Sequence, residues 1–187
     1  MKELVLASRS PRRKEILSLC GASFICDPAD VDETIDCSKP LADEIERLSV
    51  KKGETVLKRH PDSVVIGSDT MVVIDNKPLG KPHTNEAAFA MLKSLQGRTH
   101  HVLTGLCIVS QEECYRTAVS TAVHFLPMND DEIHAYIATG ECSDKAGAYA
   151  IQGYGGRYIE GIEGDYYAVM GLPLHLVYAE LKRRQII

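Results

Sequence analysis

Long apolar runs are missing from this chain. No stretch approaches the ~20 apolar residues that span a bilayer, and the N-terminal segment lacks the apolar core of a secretion signal. That predicts no membrane partner and a cytoplasmic location. Paired cysteine motifs are missing as well: Cys20, Cys26, Cys37, Cys107, Cys114 and Cys142 form no C-x-x-C. A chain of this size buries roughly 70% of its unfolded surface, so it needs no disulfide or metal staple. The histidines contain no H-E-x-x-H, and His100 and His101, adjacent on a strand, would face opposite ways. Zinc is not expected. Also absent are G-x-x-x-x-G-K-[ST] and a helix-opening G-x-G-x-x-G, so neither a P-loop nor a Rossmann nucleotide site is supported. An excess of positive charge is lacking too. The net charge of −5 argues against a nucleic-acid polymer as partner.

What remains is an ordinary globular composition, 44% hydrophobic and 25% charged, without repeats or low-complexity linkers. Its basic residues cluster locally, at Arg9, Arg12, Arg13 and Lys14 and again at Lys51 and Lys52. On an acidic protein such a cluster suits a small anionic ligand.

The order of elements reads as mixed α/β. Strands are expected at Glu3–Ala7, Ser23–Cys26, Val64–Gly67 and Met71–Ile74. Two long β-rich runs, Thr99–Ser110 and Cys114–Phe125, suggest an antiparallel pair, and Arg157–Ile162 is a further strand candidate. Helices are expected at Pro11–Cys20, Leu41–Arg59, Asn85–Gln96 and Asp130–Thr139, with a final one from Pro173 to Arg184. Asp27–Lys39 reads as an acidic loop, and Gly53, inside the longest helix, should cost about 1 kcal/mol relative to Ala.

Three segments carry chemistry. In Ser8–Arg13 a strand passes through a loop into a helix whose first turn holds Arg12 and Arg13. Cations are unfavourable at a helix N-terminus unless an anion lies between them and the free N–H groups. Arginine's planar fork suits phosphate oxygens; the plainer alternative is a solvated basic helix start. In Ile66-Gly67-Ser68-Asp69-Thr70, Asp69 sits at the expected end of a buried strand, where it could activate water, hold a metal or cap a turn. Lys52 and Lys81 are further cations, though single lysines usually face solvent. The third segment runs from Asp144 to Gly153; its small residues allow close backbone approach, and Gln152 could read a base edge or simply point outward.

Taken in order, L-A-S-R-S-P-R-R, V-D-E around Glu33, I-G-S-D-T-M, L-G-K-P, D-K-A-G-A-Y-A-I-Q-G and G-D-Y-Y-A-V-M-G-L-P span Leu6 to Pro173. Together they resemble the Maf (septum-formation inhibitor) family of nucleoside triphosphate pyrophosphatases. The resemblance implies a mixed α/β sheet with flanking helices, similar to inosine triphosphate pyrophosphatases. It also implies one domain, residues 1–187, with two lobes around a central cleft, often in a homodimer. The implied reaction converts a nucleoside triphosphate and water to the monophosphate and pyrophosphate. By motif position Asp69 matches the general base, and Ser8, Arg13, Glu33, Lys52 and Lys81 match the polar site. A divalent cation, Mg²⁺ or Mn²⁺, is implied, with its carboxylate role open to Glu33 and Asp69. Arg12, Thr70 and Gln152 resemble the branch that prefers dTTP and UTP. The branch acting on 7-methyl-GTP carries S-P-Y-R and a glutamine after the aspartate, and this chain has neither. Two rival readings stand beside this one: a pyrophosphatase for other or damaged nucleotides, and a non-catalytic regulator of cell division that needs no Asp69 carboxylate.

Overall fold

The structure, a computed structural model, describes residues 2–187. The chain begins with β1 (Leu4–Leu6), α1 (Pro11–Ser18), β2 (Ile25–Cys26), α2 (Leu41–Leu57), β3 (Val64–Ile74) and β4 (Lys77–Leu79). It continues with α3 (Asn85–Leu95), β5 (Thr99–Val109), β6 (Cys114–Phe125) and α4 (Asp130–Ala138). The last elements are β7 (Ile159–Glu163), α5 (Tyr166–Met170) and α6 (Leu174–Arg183). Among the described residues the strands follow the order β2-β1-β3-β5-β6-β7, with β4 beside β3. The expected mixed sheet with flanking helices is what forms. Among the described residues no helix is long and apolar enough to cross a membrane.

Two compact units divide the chain. The first holds the chain through Thr70, Thr104–Val119 and Gly171–Ile187. Here β1 pairs in parallel with β2, Val5 opposite Ile25, and with β3, Leu4 opposite Val64. A parallel strand covered on both faces must be apolar throughout, and Leu4, Val5 and Leu6 are all buried. Between β1 and β2, Pro11 opens α1, the Ser10 hydroxyl accepts from the Arg13 N–H, and Gly21 at φ +73° lies beyond its end. Val5, Ala7, Val56, Val65, Cys107 and Val109 form a core patch between the strands and α2.

Glycines set how closely α2 approaches that sheet. A Cβ on Gly67 would fall 2.3 Å from the Ser49 carbonyl oxygen and 2.7 Å from the Gly53 nitrogen. One on Gly105 would fall 2.3 Å from the Ile45 carbonyl oxygen. Gly53 is part of the same close contact. Its bare Cα faces Gly67, and a Cβ there would press on Cys107 and Val109 at 3.1–3.2 Å.

The second unit holds Met71–Leu103 and Ser120–Met170. Its core includes Val72, Leu92, Leu95, Val102, Val123, Phe125, Ile133 and Tyr136. Asp75 and Asn76, both at positive φ, turn β3 back into the antiparallel β4. Asn129 and Glu132 form a capping box on α4.

Four local expectations need correction. Val64–Gly67 and Met71–Ile74 are one strand, β3, so Asp69 lies within the strand and not at its end. The polar stretch stays in the sheet because the Ser68 hydroxyl lies 2.8 Å from the Gly105 carbonyl and 2.9 Å from that of Gly171. Residues 77–79 pair with β3 as β4, a strand not among those expected. The strand expected at Arg157–Ile162 is β7, shifted to 159–163 because Tyr154–Tyr158 coil as a 3₁₀ turn. Finally α5 was not anticipated; the Asp165 carboxylate caps it, accepting from the Tyr167 and Ala168 N–H groups at 2.8 and 3.2 Å.

Candidate active site

Along β3 side chains alternate between faces, and this sorts the polar residues of the first unit into two sets. Gly67 and Asp69 look toward α2; Ser68 and Thr70 look toward Gly171 and the start of α1. Because Gly67 lets α2 come close, the helix carries Lys52 to the Asp69 carboxylate. The Lys52 ammonium lies 3.0 Å from Asp69 Oδ1 and 2.7 Å from Glu33 Oε1. The Lys52 and Asp69 side chains are only 8% and 18% exposed, so that pair is largely shielded from water, whereas Glu33 is 57% exposed. Removing Lys52 would strip both carboxylates of their shared ammonium, and removing Asp69 would leave Lys52 with Glu33 alone.

Glu33 comes from the acidic loop, which is tied to α2 on both sides of it. Lys51 Nζ donates to the Asp32 carbonyl at 2.8 Å, and Arg47 donates to the Thr34 carbonyl at 3.0 Å. Asp32 also folds its carboxylate onto the Thr34 N–H at 3.0 Å, a local Asx turn. Farther along, the Glu44 carboxylate receives the Asp36 N–H at 2.9 Å. Hydrogen bonds from Arg47, then from the Asp36 N–H, hold its pKa down to about 2. The loop lacks regular structure but is fixed at several points.

On the other face of β3, Arg13 is held by neutral oxygens. Its Nε donates to the Gly171 carbonyl at 2.7 Å, one terminal nitrogen to Thr70 Oγ1 at 3.1 Å, and the other to Ser8 Oγ at 3.4 Å. The Gly171 carbonyl thus takes both Arg13 and Ser68, while Thr70 Oγ1 lies 3.1 Å from the Thr104 hydroxyl. Burial pulls the Arg13 pKa down; Asp69 opposes that, Arg12 adds to it, and Glu33 opposes it. Arginine stays charged even so. A fixed guanidinium whose hydrogen bonds go to neutral groups retains its attraction for an anion. Arg12, in the same first turn, is half-buried.

Ser8, Arg13, Glu33, Lys52, Asp69 and Thr70 are therefore gathered within the first unit. Lys81 and Gln152 belong to the second unit, and both are exposed. Sequence reasoning overlooked Ser68, Thr104 and the Gly171 carbonyl. Ser68 and Gly171 lay inside quoted motifs, but a main-chain acceptor leaves no signal in residue type. Thr104, inside a β-rich run, gave none.

Among the described residues no group of three or more His, Cys, Asp and Glu side chains is placed to hold a metal ion. Mg²⁺, however, usually takes one or two carboxylates together with substrate phosphates. Glu33 and Asp69, both in contact with one ammonium, offer two carboxylates. This donor set fits a cation shared with a polyphosphate.

Residues 3–184 match the family described as Maf-like protein. The chain is 45% identical to the dTTP/UTP pyrophosphatase of Geobacillus sp. (strain WCH70) over 98% of both chains. It is also 45% identical to the dTTP/UTP pyrophosphatase of Symbiobacterium thermophilum, over 94% of this chain and 90% of that one. Among solved structures, the Ham1 protein of Staphylococcus aureus is similar in fold, with a TM-score of 0.56 at 14% identity. That likeness covers 98% of this chain and 100% of the other.

Proposed function

Since the chain belongs to the Maf-like family, we propose that it is a nucleoside triphosphate pyrophosphatase acting on dTTP and UTP. The observation that carries this reading is the Asp69 carboxylate held by Lys52, in the strand position next to Thr70, which receives the Arg13 guanidinium. An acid paired with one anchored cation, with a second anchored cation bound at the neighbouring strand residue, suits hydrolysis of a triphosphate, and a passive binder has little use for it.

In the proposed reaction a water oxygen attacks the α-phosphorus, and the bond from that phosphorus to the oxygen bridging to the β-phosphate breaks. Pyrophosphate leaves, and the nucleoside monophosphate remains. Asp69 orients the water and takes its proton. Arg13, Lys52 and Lys81 neutralise the triphosphate and align it for in-line displacement, with Ser8 as a further polar contact. Arg12, Thr70 and Gln152 select the pyrimidine. Glu33 and Asp69 would hold a Mg²⁺ or Mn²⁺ ion, which supplies further charge neutralisation at the phosphate oxygens. The resemblance supports a cytoplasmic homodimer in which residues 1–187 act as one domain.

The test is pyrophosphate release across a nucleotide panel with Mg²⁺ or Mn²⁺. Preference for dTTP and UTP is expected. Faster hydrolysis of purine triphosphates would overturn the substrate assignment. No release from any nucleotide, with an Asp69→Asn variant that keeps its effect on cell division, would establish the regulator instead.

A further inference from the structure

The segment Ala150–Gly155, which contains Gln152, leads into the 3₁₀ turn Tyr154–Tyr158, and its backbone is held at three points by two side chains. Glu141 follows α4 after Gly140, whose φ of +76° ends the helix. Its carboxylate reaches across to the segment. Oε1 accepts the Tyr154 N–H at 2.8 Å, and Oε2 accepts the Gly155 N–H at 3.0 Å. Oε2 also accepts the Tyr136 hydroxyl at 2.7 Å. That phenolic oxygen in turn accepts the Ala150 N–H at 3.1 Å, on the other side of Gln152.

Glycine makes the approach possible. A Cβ on Gly153 would fall 1.8 Å from Glu141 Oε1. One on Gly155 would meet the Tyr136 hydroxyl at 2.8 Å. The carboxylate remains ionised: burial alone would raise its pKa, but the Gly155 N–H, the Tyr136 hydroxyl, the Tyr154 N–H and the nearby Lys145 bring it below the usual value. Tyr136, buried in the core of the second unit, anchors the arrangement. Charge-assisted hydrogen bonds to successive backbone N–H groups are the kind that fix a loop.

We infer that Glu141 and Tyr136 are positioning residues for nucleotide selection: they clamp the backbone on both sides of Gln152, so that its exposed side chain is presented from a fixed backbone position. This rests on the reading of Gln152 as a base-selecting residue. Neither clamp residue touches the reacting atoms. Their loss should therefore weaken substrate capture and base discrimination and spare the chemical step.

The experiment compares the parent with Glu141→Ala, Glu141→Gln, Tyr136→Phe and Gln152→Ala. Thermal melts first confirm which variants fold; Glu141→Gln and Tyr136→Phe are milder changes should Glu141→Ala be unstable. Amide hydrogen exchange at Tyr154 and Gly155 should accelerate at least tenfold in Glu141→Ala and less in Glu141→Gln. KM for dTTP should rise about tenfold, with kcat within about twofold, and the preference over purine triphosphates should shrink. Glu141→Gln should recover part of each effect, since its amide oxygen can still accept one N–H. Unchanged exchange at those amides in a folded variant would overturn the clamp itself. Faster exchange with unchanged discrimination would overturn its role in selection, provided Gln152→Ala does lose discrimination. Should Gln152→Ala also keep full discrimination, the base-selecting role of Gln152 fails, and the inference fails with it.

Discussion

Gly67→Ala adds one methyl group, and the structure says where it goes. The new Cβ would lie 2.3 Å from the Ser49 carbonyl oxygen, 2.7 Å from the Gly53 nitrogen and 3.1 Å from its Cα. Every one of these is backbone of α2, so no rotamer change can relieve the contact. The helix must move away from β3 by roughly an ångström. Overpacking of this kind costs about 1–3 kcal/mol, and the rigidity of the obstacle puts the value near the top of that range. For a chain of this length that lowers Tm by about 6–12 °C. The same movement withdraws Lys52, the residue before Gly53, from its 3.0 Å contact with Asp69. Misplacing a site group by about an ångström can lower turnover by about 10²-fold. Thermal melting and steady-state pyrophosphate release measure both effects. Gly161→Ala serves as the control, because a Cβ there meets nothing within 4 Å. A Gly67→Ala protein that melts with the parent and keeps its rate would refute the claim that glycine sets the spacing of α2 and with it the position of Lys52.

Other outcomes follow from the same geometry. Asp69→Asn should lower kcat by about 10²–10⁴-fold, as expected for loss of a base, and should lower Tm as well, because Lys52 loses one of its two carboxylate partners; an active variant would leave Asp69 without its assigned role. Gly171→Ala places a Cβ 3.3 Å from Arg13 Nε at a backbone φ of +123°, so it should strain the chain and displace the guanidinium. Weaker inhibition by added pyrophosphate would report that displacement, and unchanged inhibition would contradict it. His100 is buried beside Tyr149, 2.7 Å from its hydroxyl, and burial, then His101 and His124, lower its pKa from 6.5 to about 4. The unfolded chain binds that proton more readily, so stability is full above pH ~6.5 and declines as pH falls toward ~4, by about 3 kcal/mol at most. His100→Gln should flatten this part of the melting profile between pH 7 and 4.5; an identical acid loss in the variant would assign it to other groups.

Elements governed by local rules were legible before the structure. Ser10 before Pro11, Thr84 before α3 and the Asn129–Glu132 box each announce a helix start through hydrogen bonds a few residues apart. What failed was non-local. Nothing near Ser68 reveals that carbonyls at positions 105 and 171 will lie beside its hydroxyl, so a polar break was read where the strand continues. Gly53 looked like a weakness in a helix because its neighbour across the fold, Gly67, was out of view. The site divides in the same way. Residue types and order pointed to Ser8, Arg13, Glu33, Lys52, Asp69 and Thr70, but the sequence left open whether Lys52 faced solvent.

By itself, then, the sequence determined the family through the order of its motifs, and it determined the strands and caps through patterns spanning a few residues. Only tertiary structure decided which groups touch. It buried the Lys52 ammonium between Glu33 and Asp69, gave Arg13 the Gly171 carbonyl, and set Glu141 against the backbone beyond Gln152. The physical reason is that hydrogen bonds and close packing depend on distances of a few tenths of an ångström between residues tens of positions apart. Those distances are set by how α2 lies on β3 and how one loop folds back on α4, and no local pattern of residues encodes them.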